Sequence, residues 1–337
     1  MNKILKTLLF VVIFSFAACK SPNQPDEHED ITFSNPLEIP TEISKIEVVA
    51  IEGHLHGTYG FHESADPIGQ KYLKRFHKFI FEKKGNSFEL TNEGNKKLFA
   101  VGGLSVEDDD HHDGHEHGDG HEHDHSGEEG TAAYGFWIDY FDAKGNKITS
   151  EILENGLQSK RQHFFIARNI APTFDGDIEA IKEHDEQHKF MDYFYCDTDP
   201  LSGRIKDGAK VIGVSNPVGH KGYFYFFVPR SEFTLDIVLS EMNPLEKSLN
   251  GEARKFFEYP TKAKDLVRLS LPICVYAHGH EVVEEESLEE ALTNPISKKY
   301  LESIAHAYHI TIQEAFEAVY NRVAGDVPPH SDAGYWF

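Results

Sequence analysis

The sequence predicts a mainly β protein of β-sandwich-like modules, closed by a helical hairpin and interrupted by one long disordered loop. Three observations carry this. Short runs alternate apolar and polar residues with period two along most of the chain. Gly, Pro and Asn punctuate those runs at turn spacing. Apolar residues at helical spacing are concentrated in the C-terminal segment.

Taken in order, residues 45–52 alternate around Ile46, Val48 and Ala50, the mark of a half-buried strand. Residues 76–81, 87–90 and 97–104 are the next strands. Residues 134–141 are aromatic and β-rich, and Lys144-Gly145-Asn146 turns them into 147–153, which reads as a hairpin partner. Strands follow at 162–170, 190–196, 222–228, 232–240 and 266–277. Residues 177–189 read as a polar helical insert. In the C-terminal part, Ser297 is expected to cap a helix carrying Tyr300, Leu301, Ile304 and Tyr308. Thr311 is expected to cap a second, with Ala315, Phe316, Val319, Tyr320 and Val323 on one face and Gly325 at its end. The expected organisation is a leader at 1–18, a tether at 19–43, a β-rich domain at 44–157, a second β-rich domain or continuation at 158–283, and a helical segment at 284–337.

The N-terminus reads as an address. Lys3 and Lys6 precede an apolar run, Leu8 to Phe16, which is too short to span a bilayer and ends at Ala17-Ala18-Cys19. Small residues before a Cys resemble the lipobox of bacterial lipoproteins. That resemblance implies a lipid on Cys19 and attachment at the cell envelope, most naturally the outer membrane. Pro22, Pro25, Pro36 and Pro40, with Asp26, Glu27, Glu29 and Asp30, suit an extended tether. The acidic stretch after the Cys is similar to the export signals of Bacteroidetes surface lipoproteins. Cys196 and Cys274 then remain, either joined as a disulfide or each a small buried apolar side chain.

The chain has 33 Lys plus Arg against 56 Asp plus Glu, a net charge of −23 over 337 residues. This excludes nucleic acid and charge-driven docking on anionic lipid, both of which need clustered cations. Residues 107–129, EDDDHHDGHEHGDGHEHDHSGEE, hold eleven acidic residues, no Lys or Arg and no apolar residue, so this loop cannot bury a core. Seven are histidines: His111, His112, His115, His117, His121, His123 and His125. Imidazole favours Zn²⁺, Ni²⁺ and Cu²⁺, carboxylates complete the shell, and a Gly-rich chain can wrap an ion. The segment resembles the His-rich loops of bacterial zinc-uptake binding proteins and zinc chaperones, which implies metal capture without implying a fold.

Further histidines lie in the ordered body. Gly53-His54-Leu55-His56-Gly57 closes the first strand, and residues two apart in a strand share a face, so His54 and His56 can present two imidazoles to one ion. His62 follows six residues later. His278-Gly279-His280 repeats the pattern after the last strand, His163 lies in a β-rich apolar context, and His184 and His188 are i, i+4 on the helical insert. The motifs of zinc peptidases, α/β hydrolases, P-loops and dinucleotide-binding folds are missing, and no catalytic residue is singled out.

The expected function is capture of a divalent transition metal, zinc first and nickel or copper next, for acquisition or buffering, with an outer-membrane transporter as the expected partner. Two alternatives stay open. One is a surface β-sandwich binding or adhesion module, with residues 193–195 and 223–227 as an aromatic ligand face and the loop an incidental buffer. The other is a zinc-dependent hydrolase.

Overall fold

Period-two alternation carries straight into the strands of the computed structural model, which describes residues 33–56, 59–62, 76–91, 96–102, 132–173, 176, 187–277, 283, 285–308 and 310–321. Strand β1 (Lys45–His56) buries Ile46, Val48 and Ala50 on one face. It turns back into β2 (Gly60–His62) and pairs antiparallel with β3 (Phe76–Lys84), which continues into β4 (Ser87–Leu90). Strand β5 (Leu98–Val101) leaves this sheet for another. β6 (Ala133–Phe141) returns to pair with β1 on the side away from β3. Then come β7 (Arg161–Pro172), β8 (Met191–Tyr195) and a short ladder of β9 (Thr198–Asp199) with β10 (Lys210–Val211). β11 (Lys221–Phe226), β12 (Ser231–Glu241), a second short ladder of β13 (Ser248–Leu249) with β14 (Glu252–Ala253), and β15 (Lys264–Tyr276) complete the set.

Two sheets result. One has the order β4-β3-β1-β6-β11-β8 and the other β5-β15-β12-β7. They face each other across one apolar core, as a mainly β chain with alternating strands requires. Phe165 of the second sheet sits at its centre, 4.2 Å from the Tyr193 ring and 5.1 Å edge-on to Phe224 of the first. The segments 44–157 and 158–283 interleave. β8 and β11 complete the first sheet, and β5 joins the second, so the later segment is a continuation and not a domain of its own.

Residues 147–153 depart from expectation. They form helix α1 (Thr149–Leu153), with one bridge between Phe141 and Lys147 in place of a hairpin. The edge of β6 facing away from β1 is already taken, by β11 and by the Ile138 N–H donating to His220. A second strand has almost no ladder to join. The chain instead buries Ile152 and Leu153 from a helical turn.

The insert before β8 is described only at α2 (Gln187–Phe190); the rest of 177–189 lies outside the described residues. The C-terminal segment contains α3 (Leu288–Ala291), α4 (Pro295–Tyr308) and α5 (Ile312–Asn321). Tyr300, Leu301, Ile304, Ala315 and Phe316 are buried against the sandwich core. Thr311 caps α5 as expected, because its Oγ1 accepts from Glu314 N while Glu314 Oε2 accepts from Thr311 N. Ser297 does not cap α4. The helix begins two residues earlier, with Asn294 Oδ1 accepting from Ile296 N and Pro295 in the first turn, and Ser297 donates to Glu285.

Phe165→Ala removes the ring that joins the sheets. We expect a loss of about 3–5 kcal/mol in denaturant unfolding. A loss below about 1 kcal/mol would contradict this face-to-face packing.

Candidate metal centre

The end of β1 and the described flanks of two other histidine features meet at one end of the sandwich. β1 is paired by β3 as far as Ile51 and by β6 as far as Gly53, opposite Ala133. One residue before that lies Ala132, where the chain re-enters the described structure from residues 103–131. The other flank of that segment, Gly102, follows β5, and Gly102 N donates to Tyr276 O at the end of β15. Val101 is the register partner of Tyr276, and Val101 N donates to the Tyr134 hydroxyl of β6 at 2.7 Å, tying the two sheets together here. Ala277, whose carbonyl accepts from the Tyr300 hydroxyl, directly precedes His278. Thus β1 with His54 and His56, both flanks of the His-rich segment, and the residue before His278-Gly279-His280 converge.

Beyond Gly53, β1 continues as a two-stranded hairpin with β2, in which Leu55 pairs with Phe61 and His54 with His62. Leu55 and Phe61 are buried among Ile51, Ala133, Cys196 and Tyr223 on the outer side of the first sheet. Gly135 makes this possible. A Cβ there would lie 2.6 Å from the Phe61 ring, closer than any real contact, so only glycine lets the ring sit down on β6. For His54, His56 and His62 the structure describes backbone placement. The pleat puts them on the face alternate to Leu55 and Phe61, the same parity as Glu52, which is buried opposite Tyr134.

His163 does not join them. It lies on β7 opposite Leu239, at the far end of the sheets. The level of Tyr140 is seven residues along β6 from Ala133, roughly 23 Å at ~3.3 Å per residue. Both ring nitrogens are engaged: Nδ1 donates to Val218 O at 2.8 Å, which leaves Nε2 to accept from the Tyr140 hydroxyl at 2.5 Å. Burial pushes the imidazole down to about 3, with the Val218 carbonyl pulling the other way and the charges of His220 and Lys247 adding to the fall. The turn that supplies Val218 is built on buried Asp197, whose carboxylate accepts from the N–H groups of Val218, Gly219 and His220. Gly219 has φ of +77°, and a Cβ there would meet His163 Cβ at 2.8 Å. His163 is therefore a neutral core residue with no lone pair left for a metal.

Cys196 and Cys274 are free and buried. Cys196 belongs to the cluster outside the first sheet and Cys274 to the main core on the second, so the sheets themselves stand between them. Each fills space as a small apolar group, and burial pushes the Cys274 thiol up to about 11. His188 is exposed on α2, its ring 5.5 Å from Phe257. His184, His278, His280, Cys19 and the loop histidines His111, His112, His115, His117, His121, His123 and His125 lie outside the described residues. Of the aromatic segments, Tyr193, Phe224 and Phe226 point into the core. Phe194, Tyr223 and Tyr225 line the outer side of the first sheet, with Phe194 stacked on Tyr223 at 4.8 Å.

Among the described side chains no group of three or more His, Cys, Asp or Glu is assembled for a metal. Among the described residues no helix is long and apolar enough to cross a membrane. Comparison with protein-family models, characterised proteins and solved structures finds no match for this chain. The pairing of His62 with His54 was the feature that sequence alone left unread. Its signal was present in the apolar pair Leu55 and Phe61, which, once opposed, also oppose the residues beside them.

The His163 imidazole titrates at about 6.5 when unfolded and near 3 when folded, so folding favours its neutral form. Its contribution to stability is complete above about pH 6.5 and is lost as pH falls toward 3. We expect urea unfolding of the native chain between pH 6 and 4 to be steeper in pH than that of a His163→Gln variant. The difference approaches one proton, or ~1.4 kcal/mol per pH unit. Equal slopes would place a charged imidazole in the core.

Proposed function

We propose that this protein is a lipid-anchored envelope protein that captures a divalent transition metal, zinc foremost. In this reading residues 107–129 gather ions weakly, and an ordered site on the β1–β2 hairpin, His54 and His56 at its heart, holds one tightly. The observation that carries the reading is positional. The two flanks of the His-rich segment, Gly102 and Ala132, meet the end of β1 and the residue before His278-Gly279-His280 at one end of the sandwich. The segment is thereby tethered on both sides next to the end of β1 that leads to His54 and His56, and zinc exchanges ligand by ligand without a redox change. Nickel and copper share the imidazole preference. With three methionines and three cysteines in the whole chain, a dedicated Cu(I) site is not favoured.

The anchor rests on residues 1–19, and a lipid there would hold the protein at a membrane surface, where an outer-membrane transporter is the fitting recipient. Bacterial cells expressing the chain should show it in the membrane fraction, labelled by a fatty acid, and Cys19→Ala should abolish both label and membrane retention. Unchanged labelling would remove the lipoprotein reading.

For the capture reading, the intact chain should bind several Zn²⁺ ions in calorimetry. Deleting residues 107–129 should remove the weak sites and leave a single tight one. Binding should weaken below about pH 6, as imidazoles protonate before they can ligate. An intact chain that takes up no Zn²⁺, Ni²⁺ or Cu²⁺ at micromolar concentration would end the proposal.

A further inference from the structure

We infer that the tight site is a three-imidazole site carried by the β1–β2 hairpin alone, made of His54, His56 and His62. The inference rests on the metal-capture reading and goes beyond it by naming a third ligand and the device that holds the three together. His62 is the register partner of His54, and His56 follows His54 by two residues, so the three occupy one face of a two-stranded ladder. Directly opposed residues of an antiparallel pair have Cβ atoms ~4.5–5.5 Å apart. Residues two apart on a strand are separated by roughly 6.6 Å. Imidazoles on such a triangle can bring one nitrogen each to ~2.0–2.1 Å from a shared ion, the Zn–N distance.

A two-stranded hairpin is too weak to hold a metal site by itself, and this one has a brace. Leu55 and Phe61 are opposed on the other face and fully packed, at 4 % and 0 % exposure, with the Phe61 ring seated over Gly135 and stacked 6.2 Å from Tyr223. With that face committed to the protein, the alternate face carrying the histidines cannot exchange with it. A one-residue slip would put Leu55 and Phe61 outside, which their burial forbids. The hairpin also outruns β3 and β6. Three protein nitrogens leave one tetrahedral position open. That open position suits a site that receives and releases its ion, because an incoming ligand can bind before an outgoing one departs.

The test uses the chain lacking residues 107–129, so that the weak sites do not mask the tight one, with Zn²⁺ competed by a chromophoric chelator and Co²⁺ read by its visible absorption. One Co²⁺ per chain with an intense tetrahedral band is expected. His62→Ala and His56→Ala should each weaken Zn²⁺ binding by about 100-fold or more, leaving the metal-free melting temperature unchanged. His163→Gln should bind as the parent does, and an equal loss in that variant would show a fold effect and overturn the inference. Gly135→Ala, which lifts Phe61 from its seat, should weaken binding without touching a ligand. Parent-like affinity in His62→Ala removes His62 from the site and overturns the inference while the capture reading stands. No tight site in the loop-deleted chain, with several ions on the intact chain, has the same consequence. If the intact chain binds no metal, both readings fall together.

Discussion

The two-sided register of β1 is the constraint on which the rest of the structure depends. β3 and β6 grip it from opposite sides, residue for residue, so its inner and outer faces are settled along its length. The inner parity supplies Ile46, Val48 and Ala50 to the core between the sheets. The outer parity supplies Ile51 and Leu55 to a second cluster on the far side of the same sheet. Because the pleat does not change phase where the flanking strands stop, the alternation that builds the core also sorts the hairpin beyond it. Apolar residues sit on one face there and histidines on the other.

Histidines stand at both ends of the sandwich. His163 is enclosed, spends one ring nitrogen on a carbonyl and the other on a hydroxyl, and is kept neutral by burial. It specifies the packing of β7 against the Asp197 turn and has nothing left to offer a ligand. His54, His56 and His62 lie beyond the flanking strands. The Val218 carbonyl and the Tyr140 hydroxyl that occupy His163 come from its place in the fold, and composition is blind to that.

The strands were legible because burial on one face stamps a period of two on the residues, and the second helix cap because Thr311 and Glu314 satisfy each other locally. The failures have a common cause. Residues 147–153 have strand-like composition, but the ladder they needed was occupied by β11, a segment some seventy residues later in the chain. Ser297 is a good capping residue in a sequence where Asn294 and Pro295 are a better start. The cysteine pair stayed open because nothing in a sequence says that two residues lie on opposite sides of a sheet. The apparent boundary near residue 157 dissolved for a similar reason: β5 and β8 cross to sheets whose other members are far away in the chain.

By itself the sequence determined the fold class, the positions of the long strands, the unusual concentration of imidazole and carboxylate in 107–129, and the lipobox-like start. These are local properties, written in periodicity and composition. Only the tertiary structure decided which histidines share a face, that His163 belongs to the core, and that both flanks of the His-rich segment return to the end of β1. Those are matters of register and strand order. They are set by pairing between residues distant in sequence and by the single apolar interior that the two sheets must close together.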